Sequence, residues 1–86
     1  MTADGTGKVT RISCDPSDPG HRAYVEGGRC WRVLLDGVVQ PYAITADTFK
    51  GYVVRFKIAN GRHVITNGAA ERERVNGKVE IENLSQ

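Results

Sequence analysis

Four side chains of this sequence have the chemistry to hold a metal ion: Cys14, His21, Cys30 and His63. Structural zinc sites bring their ligands in close pairs, two cysteines with two to four residues between them. Here the cysteines stand sixteen positions apart and neither histidine has a near partner, so no metal and no cofactor is expected. Nucleophilic catalysis asks for a nucleophile, a base and an orienting group in contact. No motif joins Cys30 to His21 or His63 in that way, and the reading is a buried thiol and two surface or loop histidines. With no sign of a secretion signal, Cys14 and Cys30 are read as two reduced structural thiols.

Glu71, Glu73, Glu80 and Glu82 could suggest acid–base work. They interleave with Arg72, Arg74 and Lys78, and cross-strand charge pairs on a solvated sheet face account for them. Gly27-Gly28 lacks the Lys-Ser/Thr of a phosphate-binding loop. No catalytic residues are therefore assigned, and the chain is read as a non-enzyme.

The stretch richest in binding chemistry is 49–62. It holds Lys50, Arg55, Lys57 and Arg62 with no acid, interleaved with Phe49, Tyr52 and Phe56. Basic residues beside exposed rings can track phosphates and stack bases. Lys50-Gly51-Tyr52 opens like the aromatic strand of RNA-recognition and cold-shock domains, but Val53 and Val54 then stand where a small residue and an aromatic belong. By alternation Tyr52, Val54, Phe56 and Ile58 share one face, assigned to the core, and Val53, Arg55 and Lys57 share the other. The contact surface expected from this stretch is Tyr52, Arg55, Lys57 and Arg62, with the loop 15–20 second.

The elements that must position these residues are short strands. The 86 residues suffice for one domain, and 40% hydrophobic with 26% charged residues is ordinary for a folded chain. Net charge is +2: five basic and five acidic residues in the first 43, seven and five in the second. That tilt is mild for a nucleic-acid binder. No apolar stretch nears the roughly 20 residues of a membrane span, and residues 1–7 lack the order of a signal peptide. The expected location is the cytoplasm, with no membrane partner.

From residue 36 onward four Asx-Gly pairs punctuate the chain: Asp36-Gly37, Asn60-Gly61, Asn67-Gly68 and Asn76-Gly77. They suit two-residue type I′ turns, which need positive φ at both central positions. Strands are read at 8–13, 30–35, 38–45, 51–59, 63–66, 71–75 and 78–82. The last two form a hairpin across Asn76-Gly77, with Val79 and Ile81 inward. Pro41 marks the third as an edge or bulged strand. Residues 15–20 form a rigid polar loop, and 45–50 a tight connection or one helical turn. Gly27-Gly28 reads as a bend, and no segment shows ten residues of helical period. The fold expected is all-β: a small antiparallel meander of six or seven short strands, as a partly closed barrel or a two-layer sandwich. Residues 8–82 form the single domain between flexible ends at 1–7 and 83–86.

Between Trp31 and Ile81 lies a further pattern. It comprises Leu34-Leu35-Asp36-Gly37-Val38, Ala46-Asp47, Gly51-Tyr52-Val53-Val54, Asn60-Gly61 and 71–81, Glu-Arg-Glu-Arg-Val-Asn-Gly-Lys-Val-Glu-Ile. In this the chain resembles small uncharacterised proteins of tailed bacteriophages and prophages. The resemblance implies a compact β-fold of phage or prophage origin, with no catalytic residues to carry over. In that setting the protein would sit in the host cytoplasm or on the virion. The function expected is a protein-interaction or assembly accessory module, its partner another protein, a phage assembly or a second copy. The alternative is a weak nucleic-acid-binding module using the basic and aromatic strand.

Overall fold

The computed structural model describes residues 9–84, and the expectations for 1–8 and 85–86 lie outside them. The chain runs β1 (Arg11–Ser13), α1 (His21–Glu26), β2 (Trp31–Leu35), β3 (Val38–Val39), β4 (Ala43–Asp47) and β5 (Tyr52–Phe56). It continues through β6 (Ile58–Ala59), β7 (Arg62–His63), β8 (Ile65–Thr66), β9 (Ala69–Ala70), β10 (Arg72–Asn76) and β11 (Val79–Asn83). Six of these strands have three or more residues, and all pairing is antiparallel.

One sheet has the order β10-β5-β4-β1, and the second has β11-β2-β3. The core takes Ile12, Ala46 and Val53 from the first and Val33, Leu35 and Val79 from the second. The two sheets thus face each other across one apolar layer, and neither closes into a barrel. The small all-β fold is as the turn and strand patterns require. Val79 is buried and Ile81 packs beside it, both inward. Ordered pairing continues to Asn83, and the Leu84 amide donates to Cys30 O at 2.8 Å, past the boundary set at 82.

Three of the four Asx-Gly pairs are tight hairpin turns. Asp36, Asn60 and Asn67 have φ of 50°, 53° and 52°, each followed by a glycine of positive φ. Asn and Asp tolerate this region because their short polar side chains bond locally.

Asn76-Gly77 is a correction: it closes no hairpin. β10 pairs with β5 and β11 with β2, so here the chain crosses from one sheet to the other. The crossing is seated by bonds that no local pattern contains. The Gly77 amide donates to Gly51 O at 3.0 Å, Lys78 N to Asp36 Oδ1 at 2.9 Å, and Asp36 N to Lys78 O at 2.8 Å.

A second crossing splits the strand expected at 38–45. β3 stays with β2 at the sheet edge, and Pro41, which has no N–H to offer a ladder, lies in the passage to β4. A register shift follows between Ala43 and Thr45. Of the stretch 45–50, residues 45–47 belong to β4 and the tight connection is 48–51, where the Lys50 amide donates to Asp47 Oδ1 at 2.7 Å.

The face assigned to β5 is reversed. Val53 is fully buried and faces the core with Ala46 and Val75, its register partners on both sides. Tyr52, Val54 and Phe56 point to the opposite face. Alternation says only that two faces differ, and the core took the one carrying Val53.

Helix α1 is also new, since six residues are too few to show a 3.6-residue period. Gly27-Gly28 ends it: their amides donate to the carbonyls of Ala23 and Val25, both at 3.0 Å. Ala23 and Tyr24 pack against the core, and the Trp31 indole N–H donates to Tyr24 O at 3.1 Å.

Candidate interaction surface

The four residues expected to form one contact surface are placed apart. Tyr52 is 8% exposed, so its ring offers no platform for a base. Arg74 covers it, with the guanidinium carbon 3.9 Å from the ring centroid. Arg55 points to the core-side face beyond the end of the core, where it donates to Glu73 at 2.9 Å and to Gln40 at 2.7 Å. Lys57 lies 3.9 Å from Glu71. Of these four, only Arg62, on β7, is exposed with no ion pair among the described residues. Three of the four glutamates do pair with cations, though not within one hairpin: Glu71 with Lys57, Glu73 with Arg55 on β5, and Glu82 with Arg32 on β2 at 3.2 Å.

The face that Tyr52 occupies is a charge network centred on Arg11. Its guanidinium donates twice to Asp18, at 2.9 and 2.7 Å, once to Asp47 at 2.9 Å and once to the Tyr52 hydroxyl at 2.6 Å. Arg11's bonds hold the Asp18 carboxyl below the ordinary range, although partial burial opposes this. For Asp47 burial pushes upward most strongly, yet bonds from the Lys50 amide and Arg11 leave it lowered. The same bonds raise Arg11 above its usual value. The loop 15–20 thus has partners for both acids: Asp18 bonds Arg11, and Asp15, at the surface, accepts from the Ser17 amide and hydroxyl at 3.0 and 2.8 Å and lies 3.7 Å from Arg72.

A surface that the sequence reading touched only at Lys57 and Arg62 is the arm of residues 57–71. At its root three backbone bonds close a ring. Lys57 N donates to Glu71 O (2.9 Å), Glu71 N to Val64 O (2.8 Å) and Val64 N to Lys57 O (3.0 Å). From this ring the hairpins β6–β7 and β8–β9 branch as two leaves, turning at Asn60-Gly61 and Asn67-Gly68. The expected strand at 63–66 is thereby divided between them. No residue from 57 to 71 is buried, and Ile65 is 59% exposed. Beside the root, the His63 ring meets Tyr42 and Phe56 edge-on, with centroids 5.6 and 5.2 Å away. The signal in the sequence was the seven-residue spacing of two Asn-Gly pairs, too close for long strands between them.

Among the described residues no three His, Cys, Asp or Glu side chains gather as metal ligands. Cys14 and Cys30 are free and both exposed, so the reading of Cys30 as a buried thiol is corrected. No helix among the described residues is long and apolar enough to cross a membrane. Comparison with protein-family models, with curated proteins and with solved structures finds no match to this chain.

Proposed function

We propose that this protein is a non-enzymatic interaction module, an accessory part of a phage or prophage assembly, that meets its protein partner through the arm of residues 57–71. One observation carries the reading: the arm is ordered into two paired hairpins while burying none of its residues. Ordering a residue costs roughly 1–2 kcal/mol of backbone entropy. A two-stranded hairpin without a covered apolar face is marginal in water. A partner that covers Ile65 and the rings beside His63 supplies the burial the arm lacks. The resemblance of residues 31–81 to small tailed-phage proteins supports an assembly setting. The nucleic-acid alternative loses its main support, because Tyr52 is covered and Arg55 and Lys57 are drawn to glutamates.

The test compares the intact chain with a variant in which Asn-Gly joins Lys57 directly to Glu71. Sedimentation and co-purification from phage-carrying cells are read alongside thermal unfolding. The intact chain forms a complex of fixed stoichiometry, with itself or with one partner, and the armless variant melts at the same temperature but stays alone. The same complex from both forms, or none from either, overturns the reading.

A further inference from the structure

Where the two sheets diverge, between the α1–β2 connection and the Gln40–Tyr42 passage, lies a cleft of about 340 Å³. That is the lower end of the roughly 300–1,000 Å³ typical of small-molecule sites. Ile12, Val33, Ile44 and Ala46 line its depth, and Tyr24 and Trp31 flank it. Arg29 and Arg32 belong to its exposed wall, and among the described residues no carboxylate lines it.

The two arginines are not equivalent. Arg32 is drawn to Glu82, whereas Arg29 makes no ion pair among the described residues. Arg29 also has φ of 60°, and the other non-glycine residues with positive φ, Asp36, Asn60 and Asn67, are all Asx. The Arg29 amide donates to Tyr24 O at 3.0 Å and closes the end of α1, which fixes the point from which its side chain leaves at the edge of the cleft.

We propose that this cleft binds a small amphipathic anion, its apolar body lying along Trp31 and Ile44 and its carboxylate or phosphate paired with Arg29. A guanidinium fork matches either head group in bidentate fashion, and does so best where water is partly excluded. This site is separate from the arm, and neither reading depends on the other.

The chain carries its own reporters. Cys14 lines the cleft and Cys30 does not, while both thiols are exposed and free. Trp31, the sole tryptophan, flanks it. The probes are decanoate, decyl phosphate, decyltrimethylammonium and acetate, each below its micellar concentration. Alkylation of each cysteine by iodoacetamide is followed by mass spectrometry, with Trp31 fluorescence as the second readout. Decanoate, decyl phosphate or both slow Cys14 and shift Trp31 while Cys30 reacts as before, and which of them acts identifies the head group. Acetate and the cationic amphiphile do neither. Arg29→Gln weakens the effective anion by about tenfold, the scale of one lost charge-assisted bond. The proposal is overturned if neither anion protects Cys14, if decyltrimethylammonium protects it equally, or if Arg29→Gln retains full protection.

Discussion

Arg11 Nη1 donates to the Tyr52 hydroxyl across 2.6 Å, joining β1 at one edge of the four-stranded sheet to β5 in its interior, 41 positions along the chain. The same nitrogen reaches Asp47 on β4, the strand between them. One cation thereby ties three strands and, through Asp18, the loop that leads into α1. Removing the hydroxyl and removing the cation should therefore differ sharply. Tyr52→Phe costs about 1.5 kcal/mol, one charge-assisted bond whose donor keeps both of its carboxylates. Arg11→Ala costs about 3 kcal/mol or more, because it strands two poorly hydrated carboxylates. Urea unfolding of the two variants measures both.

Stability should depend on acid through the same pair of carboxylates. Asp18 and Asp47 are lowered in the folded protein, relative to about 3.9 in an unfolded chain. The unfolded state then binds more protons just below that value, so unfolding becomes easier as pH falls. The contribution is whole above about pH 5 and is lost as pH drops through the folded-state values. Urea midpoints between pH 7 and 2.5 fall steeply below pH 4 in the native protein. They fall less steeply in Asp18→Asn, which is weaker at neutral pH.

At Gly27 a side chain has no room, for a Cβ there would overlap the Trp31 ring. Gly27→Ala forces the indole off its bond to Tyr24 O and costs roughly 1–3 kcal/mol, as overpacking does. Gly61, at φ 74° with open space around it, tests backbone strain alone. Gly61→Ala costs about 1 kcal/mol by comparison. Thermal unfolding ranks the two.

The arm should be the part of the chain that opens most easily. Its amides are bonded but lie over no core, and exposed ladders open at low free energy. Hydrogen exchange at residues 58–70 is faster than at Ala46 or Val53 by orders of magnitude. Ile65→Glu changes stability by less than about 0.5 kcal/mol, as exposed substitutions do, yet it abolishes the complex that the arm forms.

Arg29→Gly should raise stability by about 0.5–1 kcal/mol, because glycine enters the left-handed region without a Cβ clash. The same change removes the charge that the cleft presents to an anion. Chemical denaturation and the Cys14 protection assay, run on one variant, show the two quantities moving in opposite directions.

Much of the fold was legible where the governing physics is local. Asp36-Gly37, Asn60-Gly61 and Asn67-Gly68 turn as their residue types require. Trp31–Leu35, nearly all apolar, is the central strand of its sheet. Asn76-Gly77 has the same letters and a different fate, since partners at Gly51 and Asp36 reach it from distant turns. The site was harder still. Residues 51–59 spell one alternating strand, but the chain leaves the sheet after Phe56, and Arg62 departs with the arm.

The sequence by itself determined the class of fold: short strands, tight turns, and a sheet edge interrupted by proline. Those properties follow from dihedral preferences and hydrophobic period, which act over two to six neighbouring residues. Only the tertiary structure decided which face of β5 is core, which sheet each of the last strands joins, and that Arg11 lies half-buried among two acids and a phenol. Those choices are settled by the burial of Val53 between two layers and by charges brought together from positions far apart. They depend on which surfaces meet, and no local window of residues contains that information.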